Sequence, residues 1–325
     1  MREFEYAAWA ARVVFGPGAA RTRLAEHVDG RRVLVIATAQ EADLAAELSA
    51  PFQDRVAATF TGVRPHVPVE VAQTARDAAR GADAILSIGG GSTTGTAKAV
   101  ALTAGLPIVA VPTTYAGSEV TPVWGLTEGG VKTTGKDPRV LPKVVVYDPQ
   151  LTVTLPRELA VASGLNALAH CVEAFWAPGA NPVTSLLAEE GIRALADGLP
   201  TADAEATMYG AWLAGTAFAQ AGSGLHHKLC HVLGGMYDLP HAETHAVLLP
   251  HTAALLASPD TMRRIENALG QSLAHFGRRL GAPTALRDLG LPEGALQAIR
   301  VPAITIDLLR AAWRGDEPST LPEAA

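Results

Sequence analysis

Apolar, valine-rich runs alternate with helix-forming segments up to about residue 150, and beyond that point the runs stop. Arg12–Pro17 (RVVFGP), Arg32–Thr38 (RVLVIAT), Val56–Phe60, Asp83–Ile88 (DAILSI), Pro107–Pro112 (PIVAVP) and Val144–Tyr147 read as strands. Ala19–Val28, Glu41–Ser49, Val69–Gly81 and Thr93–Thr103 read as the helices between them. Strand, helix, strand in repetition is the rhythm of a parallel α/β sheet. Past Pro156 the helices follow one another directly: Arg157–Ala177, Pro182–Leu195, Ala204–Ala221, His226–Tyr237, Met262–Leu280 and Ala295–Arg300. The expectation is an α/β domain over 1–152 joined to an all-α domain over 153–325. Between the last two strands, Thr121–Pro142 has four glycines and little regular pattern.

A chain of 325 residues exceeds the usual single domain, and 48% hydrophobic with 18% charged content is a compact globular composition. The formal charge of −6 offers no basic field to nucleic acid or to an anionic membrane. The longest apolar stretch, Ala99–Pro112, is interrupted by Thr103, Gly105 and Pro107 and is too short to span a bilayer. The first fifteen residues carry acids where a signal peptide needs an apolar run, so the expected location is the cytoplasm. The cysteines, Cys171 and Cys230, form neither a disulfide framework nor a zinc-finger spacing. The tail Gly315–Ala325 is expected to fray.

Three stretches carry chemistry. Gly89, Gly90, Gly91 and Ser92 follow a strand and open a helix, where close backbone approach and uncapped N–H groups favour a phosphate; a tight strand-to-helix turn explains them equally well. The hydroxyl-rich loop Thr113, Thr114, Tyr115, Gly117 and Ser118 lies at a strand's carboxyl end, the ligand-binding edge of open α/β sheets, or caps the next element. Gly224–His251 holds six of the ten histidines. On a helix, His227 and His231 stand at i and i+4 on one face and His226 and Cys230 on the next, and Asp238-Leu-Pro-His241 turns a third imidazole back. Leu165–His170 adds Asn166 and His170 at the same spacing. Such clustering points to a metal or a proton-transfer site, with His245 and His251 taken as packing residues. The carboxamide of Asn166 supplies no charge to balance a metal.

The runs GGGS at 89–92, PTTYAGSEVT at 112–121, GLNALAHCVEA at 164–174 and HHKLCHVLGG with LPHAETHAVLLPH resemble the iron-containing alcohol dehydrogenase superfamily, and within it the maleylacetate reductase branch. The resemblance implies a dinucleotide-binding α/β domain, a helical catalytic domain and a homodimer. It puts the superfamily's metal-binding aspartate on Asn166 and its metal-binding histidines on His170, His227 and His241. The exchange at Asn166 is typical of a branch that works without metal, so these positions are expected to be vestigial. His231 matches the histidine beside the nicotinamide. The resemblance implies cofactor contacts at Thr38, Gly89, Gly90, Gly91, Ser92, Thr113, Thr114, Tyr115, Ser118 and Lys132. Gly95 stands where metal-dependent relatives carry Asp, and the region after Gly281 looks short.

The activity so implied is NAD(P)H-dependent reduction of the enone of maleylacetate, or a related 4-oxo-2-enoate dicarboxylate, to 3-oxoadipate. The expected proton donor is His231, with His227, His241 and His170 as further catalytic candidates. The cations His226 (protonated), Lys228, Lys136 and Arg139, with Asn166, are candidates for the substrate. No acid follows Thr38 in Thr38-Ala39-Gln40, which leaves NAD and NADP both usable. Alternatives are a metal-dependent alcohol or aldehyde oxidoreductase, a lyase like dehydroquinate synthase, and a cofactor-binding homologue of altered catalysis.

Overall fold

The computed structural model describes residues 6, 8, 9 and 11–318. It divides into two compact units, one of residues 8–155 and one formed by the chain from Pro156 onward.

The first unit carries a parallel six-stranded sheet. Its strands are β1 (Arg12–Phe15), β2 (Val33–Ile36), β3 (Val56–Phe60), β4 (Ala84–Gly89), β5 (Ile108–Pro112) and, last in the chain, β8 (Val144–Tyr147), in the order β1-β8-β5-β4-β2-β3. Every residue of β2, β4 and β5 is buried, which is why these strands read as unbroken apolar runs; a sheet covered on both faces removes the polar alternation. The edge strand β3 alternates instead. The helices are α1 (Ala19–Thr22), α2 (Ala42–Ser49), α3 (Val69–Ala78) and α4 (Gly91–Ala104). The expected helix Ala19–Val28 shortens to α1 followed by a 3₁₀ turn at Leu24–Glu26.

The segment read as patternless is ordered. The strands β6 (Val123–Glu128) and β7 (Val131–Lys136) pair antiparallel as a hairpin. Gly129 and Gly130 form its two-residue turn with φ of 55° and 80°, the doubly left-handed geometry that matches strand twist. Two adjacent glycines between strand-forming residues were the signal, obscured by the further glycines Gly125 and Gly135 inside the strands.

The second unit is helical: α5 (Arg157–Glu173), α6 (Pro182–Thr201), α7 (Ala204–Ala221), α8 (Leu225–Tyr237), α9 (His241–Leu256), α10 (Pro259–Leu269), α11 (Leu273–Arg279) and α12 (Ile306–Arg314). Side-chain caps start most of them: Asn181 closes a capping box with Thr184, and Asp203, Ser258, Ser272 and Thr305 accept from backbone N–H groups one or two residues into their helices. Met262–Leu280 is two helices, broken at the left-handed Gly270, and Ala295–Arg300 contributes only the end of a 3₁₀ turn. Two helices escaped the sequence reading, α9 and α12. The histidines and the internal Pro250 hid α9, whose apolar residues are nonetheless spaced for burial. Of the tail expected to fray, Gly315–Pro318 is held by backbone bonds to Ala311 and by Arg278 on Glu317 at 2.7 Å, and residues 319–325 lie outside the described residues. No described helix is long and apolar enough to cross a membrane.

Candidate active site

Helices α5, α8 and α9 bring six imidazoles together. His227 lies 5.0 Å from His170, 5.5 Å from His226, 6.4 Å from His231 and 4.5 Å from His245, ring centre to ring centre. His241 is 5.4 Å from His231 and 4.5 Å from His245. Phe218 of α7 walls the group, 4.5 Å from His170 and 4.6 Å from His227. Thus His170, His227, His231 and His241 converge, as does His226. His245, assigned to packing, belongs to the cluster: it follows His241 by one helical turn on α9, which the sequence reading had not recognised as a helix. His251 is buried and stands apart from these ring contacts.

The hydrogen bonds set the tautomers. Thr252 Oγ1 donates to the carbonyls of its own helix, so it accepts from His226 Nδ1 at 2.8 Å. His226 Nε2 then accepts from His245 Nδ1 at 2.8 Å, leaving the lone pair of His245 on Nε2. Glu173, wholly buried, accepts from His227 Nδ1 at 2.5 Å, which leaves the lone pair of His227 on Nε2. Asn166 Oδ1, His170 Nδ1, His227 Nε2 and His245 Nε2 are buried with no hydrogen-bond partner among the described residues. Burial pushes His170, His227 and His245 well below the usual imidazole range, with neighbouring imidazoles acting in the same direction; for His170 the Glu173 charge opposes the shift. His226 falls to about 3, chiefly through burial. His231 alone of the six is exposed, and His241 is half-buried.

These facts correct one assignment outright. A protonated His226 cannot receive a substrate carboxylate, since its ring is fully buried, neutral and bonded at both nitrogens. Arg139 is also committed, paired through two nitrogens with Asp137 at 2.7 and 3.0 Å. Lys136 is exposed with its ammonium 4.7 Å over the Trp9 ring. Lys228 is exposed on α8.

Glu173 was missed. Asn166, His170 and Glu173 fall at i, i+4 and i+7 of α5, one face of a helix, and that spacing was the available signal.

In the α/β unit, the sheet's carboxyl edge gathers Thr38 after β2, Gly89 at the end of β4, and Thr113 after β5. Gly90 starts α4 with no side-chain cap. A Cβ on Gly90 would come within 3.0 Å of Thr114, and one on Gly91 within 3.1 Å of Ala116. Glycines here keep open a cradle before an uncapped helix start, which fits a dinucleotide pyrophosphate among Gly89, Gly90, Gly91, Ser92 and Thr114. Ser118 is tied in by its carbonyl, which accepts from the buried Lys98 at 2.6 Å. Lys98 also donates to Thr121 and Val123, so it fastens the loop to α4. Lys132 is exposed on β7.

Two cofactor assignments change. Tyr115 is a core residue, 4% exposed, its hydroxyl 3.2 Å from Thr152. The strand-end acid thought missing is Glu41, whose carboxylate accepts from Thr38 Oγ1 at 2.8 Å and Thr113 Oγ1 at 2.6 Å. It lies one residue beyond the stretch inspected for it.

Residues 10–149 match the iron-containing alcohol dehydrogenase model, and residues 160–314 match the C-terminal model of the Fe-containing alcohol dehydrogenase family. This chain belongs to the iron-containing alcohol dehydrogenase family. It is 48% identical over 313 residues to a maleylacetate reductase of Sphingobium indicum, covering 90% of this chain and 89% of that one. A solved maleylacetate reductase from Agrobacterium tumefaciens superposes with a TM-score of 0.92 at 42% identity, over 98% of this chain and 100% of the other. A putative alcohol dehydrogenase from Ralstonia eutropha JMP134 superposes with a TM-score of 0.93 at 47% identity, over 98% and 100%.

The family name implies a metal. The positions concerned present one amide and three imidazoles, and no anionic donor. Among the described residues, the donors drawn within 4.8 Å of one another are a different set, His226, Cys230 and His245. There the two ring nitrogens share a hydrogen bond at 2.8 Å, whereas nitrogens on one tetrahedral ion at about 2.0–2.1 Å each stand about 3.3 Å apart. The expected metal positions thus offer a divalent ion neutral donors only, with no charge to balance it.

Proposed function

We propose that the chain reduces the carbon–carbon double bond of maleylacetate, or of a related 4-oxo-2-enoate dicarboxylate, to the saturated 3-oxoadipate type of product, without metal. The single observation that carries this reading is the donor set at Asn166, His170, His227 and His241, an amide and three imidazoles with no carboxylate among the four, where a metal-dependent alcohol oxidoreductase would use an anion. The relatives' activity supplies the substrate.

A nicotinamide dinucleotide would be held by Gly89, Gly90, Gly91, Ser92, Thr113, Thr114 and Ser118, with Lys132 toward its ribose, and would supply a hydride. Hydride enters at the alkene carbon β to the ketone, and the electron pair moves onto the ketone oxygen as an enolate. His231 polarises that oxygen and delivers the proton to the α carbon; being exposed, it recovers a proton from water. His241, 5.4 Å from it, holds the ring. Of the two cations expected for the substrate in the helical unit, His226 and Lys228, Lys228 is offered to a substrate carboxylate. Glu41 at the strand ends favours NADH over NADPH, through repulsion of a 2′-phosphate. The expected homodimer carries over from the family resemblance.

The experiment is steady-state oxidation of NADH and NADPH against maleylacetate and a panel of simple aldehydes. Turnover with maleylacetate and none with aldehydes supports the reading; the reverse replaces it with an alcohol or aldehyde oxidoreductase.

A further inference from the structure

Glu173 has a place that no role above uses. Helix α8 starts at Gly224, without a side-chain cap of its own. Glu173 reaches across from α5 and supplies the cap: Oε1 accepts from the backbone N–H of His226 at 2.7 Å and of His227 at 3.3 Å. Its second oxygen accepts from His227 Nδ1 at 2.5 Å. Gly224 permits this approach, since a Cβ there would stand 2.9 Å from Glu173 Oε1. One carboxylate therefore fixes both the backbone and the ring of His227. An acceptor-only group at Nδ1 requires that nitrogen to carry hydrogen, which leaves the lone pair on Nε2, a buried atom with no partner among the described residues.

We propose that Glu173 is a positioning residue for the reduction: it holds the His227 ring with hydrogen on Nδ1, so that Nε2 is presented as a hydrogen-bond acceptor beside His170, His231 and His245. The negative charge at this site thus stands behind an imidazole, on Glu173, where Asn166 offers none. An uncharged amide in its place has one oxygen for three N–H groups and presents an NH₂ to the ring. That arrangement turns His227 into the opposite tautomer, with hydrogen on Nε2 and the lone pair spent on the amide. The role assigned to Nε2 in turnover rests on the proposed reduction of maleylacetate; the tautomer does not.

The test compares wild type with Glu173→Gln. Long-range ¹⁵N–¹H NMR of histidine-labelled protein, with His227→Gln used to assign the signal, is expected to show His227 protonated at Nδ1 in wild type and at Nε2 in Glu173→Gln. With maleylacetate and NADH, Glu173→Gln is expected to lose about 10²-fold or more in kcat while KM stays within about threefold. Glu173→Asp, which keeps the charge, is expected to recover part of the loss. An Nε2-protonated His227 in wild type overturns the proposal whatever the variants do, so a variant that fails to fold does not shelter it. A folded Glu173→Gln with the switched tautomer and undiminished kcat overturns it equally. If wild type does not turn over maleylacetate, the substrate reading fails while the tautomer result stands by itself.

Discussion

The two units differ in which buried polar groups they leave open. In the α/β unit the buried charges are closed off by partners: Lys98 donates to oxygens of Ser118, Thr121 and Val123, Glu119 accepts from Tyr147 at 2.8 Å, and Asp148 accepts from the N–H groups of Gly18, Ala20 and Gln150. In the helical unit, imidazoles are buried with ring nitrogens left open. A buried polar group without a partner weakens a fold by about 1–3 kcal/mol, so a cluster of them persists where chemistry needs it. The helical unit thus holds its clustered imidazoles at a cost in stability.

Acid should widen this difference most. The folded pKa values of His170, His226, His227 and His245 are lowered from 6.5, that of His226 to about 3. A depressed folded value means stability fully present above about pH 6.5 and lost as the pH falls toward the folded value, because the unfolded chain takes up the protons. Burial raises Glu119 instead, so protonation there favours the folded α/β unit as the pH drops. Hydrogen exchange from pH 7.5 to 4 is expected to show segments of 157–256 losing several kcal/mol of protection before those of 33–112 do. Equal loss in both would remove the contrast.

Replacing Lys98 by Met should cost about 3–5 kcal/mol in denaturant unfolding, since it strands buried oxygen acceptors around an apolar chain. His231→Ala takes away an exposed group and should leave stability within about 0.5 kcal/mol, yet lower kcat about 10²-fold with NADH affinity unchanged. Turnover at the wild-type rate would remove His231 from the mechanism. The smallest effect is expected at Glu41→Gln, a shift of about tenfold toward NADPH in the ratio of kcat/KM values, reflecting one lost like-charge contact; an unmoved ratio would place the 2′-phosphate elsewhere.

The sheet was legible because its buried strands are runs of valine, isoleucine and leucine between turn residues, a pattern that needs no tertiary knowledge. The imidazole cluster was legible in outline through i, i+4 spacing. What stayed hidden depended on partners distant in sequence. Glu173 is 54 residues from His227, and only the packing of α5 on α8 makes it a cap and a ring acceptor. His226 resembles His227 in sequence and differs because its ring is closed on Thr252 and His245. Glu41 meets Thr113, 72 positions away, only because folding brings them together.

The most direct measurement is NADH oxidation with maleylacetate by enzyme purified with a strong chelator, its metal content determined on the same sample. The account predicts undiminished turnover with far less than one equivalent of any transition metal. Activity lost on chelation and restored by adding back zinc or iron would contradict it.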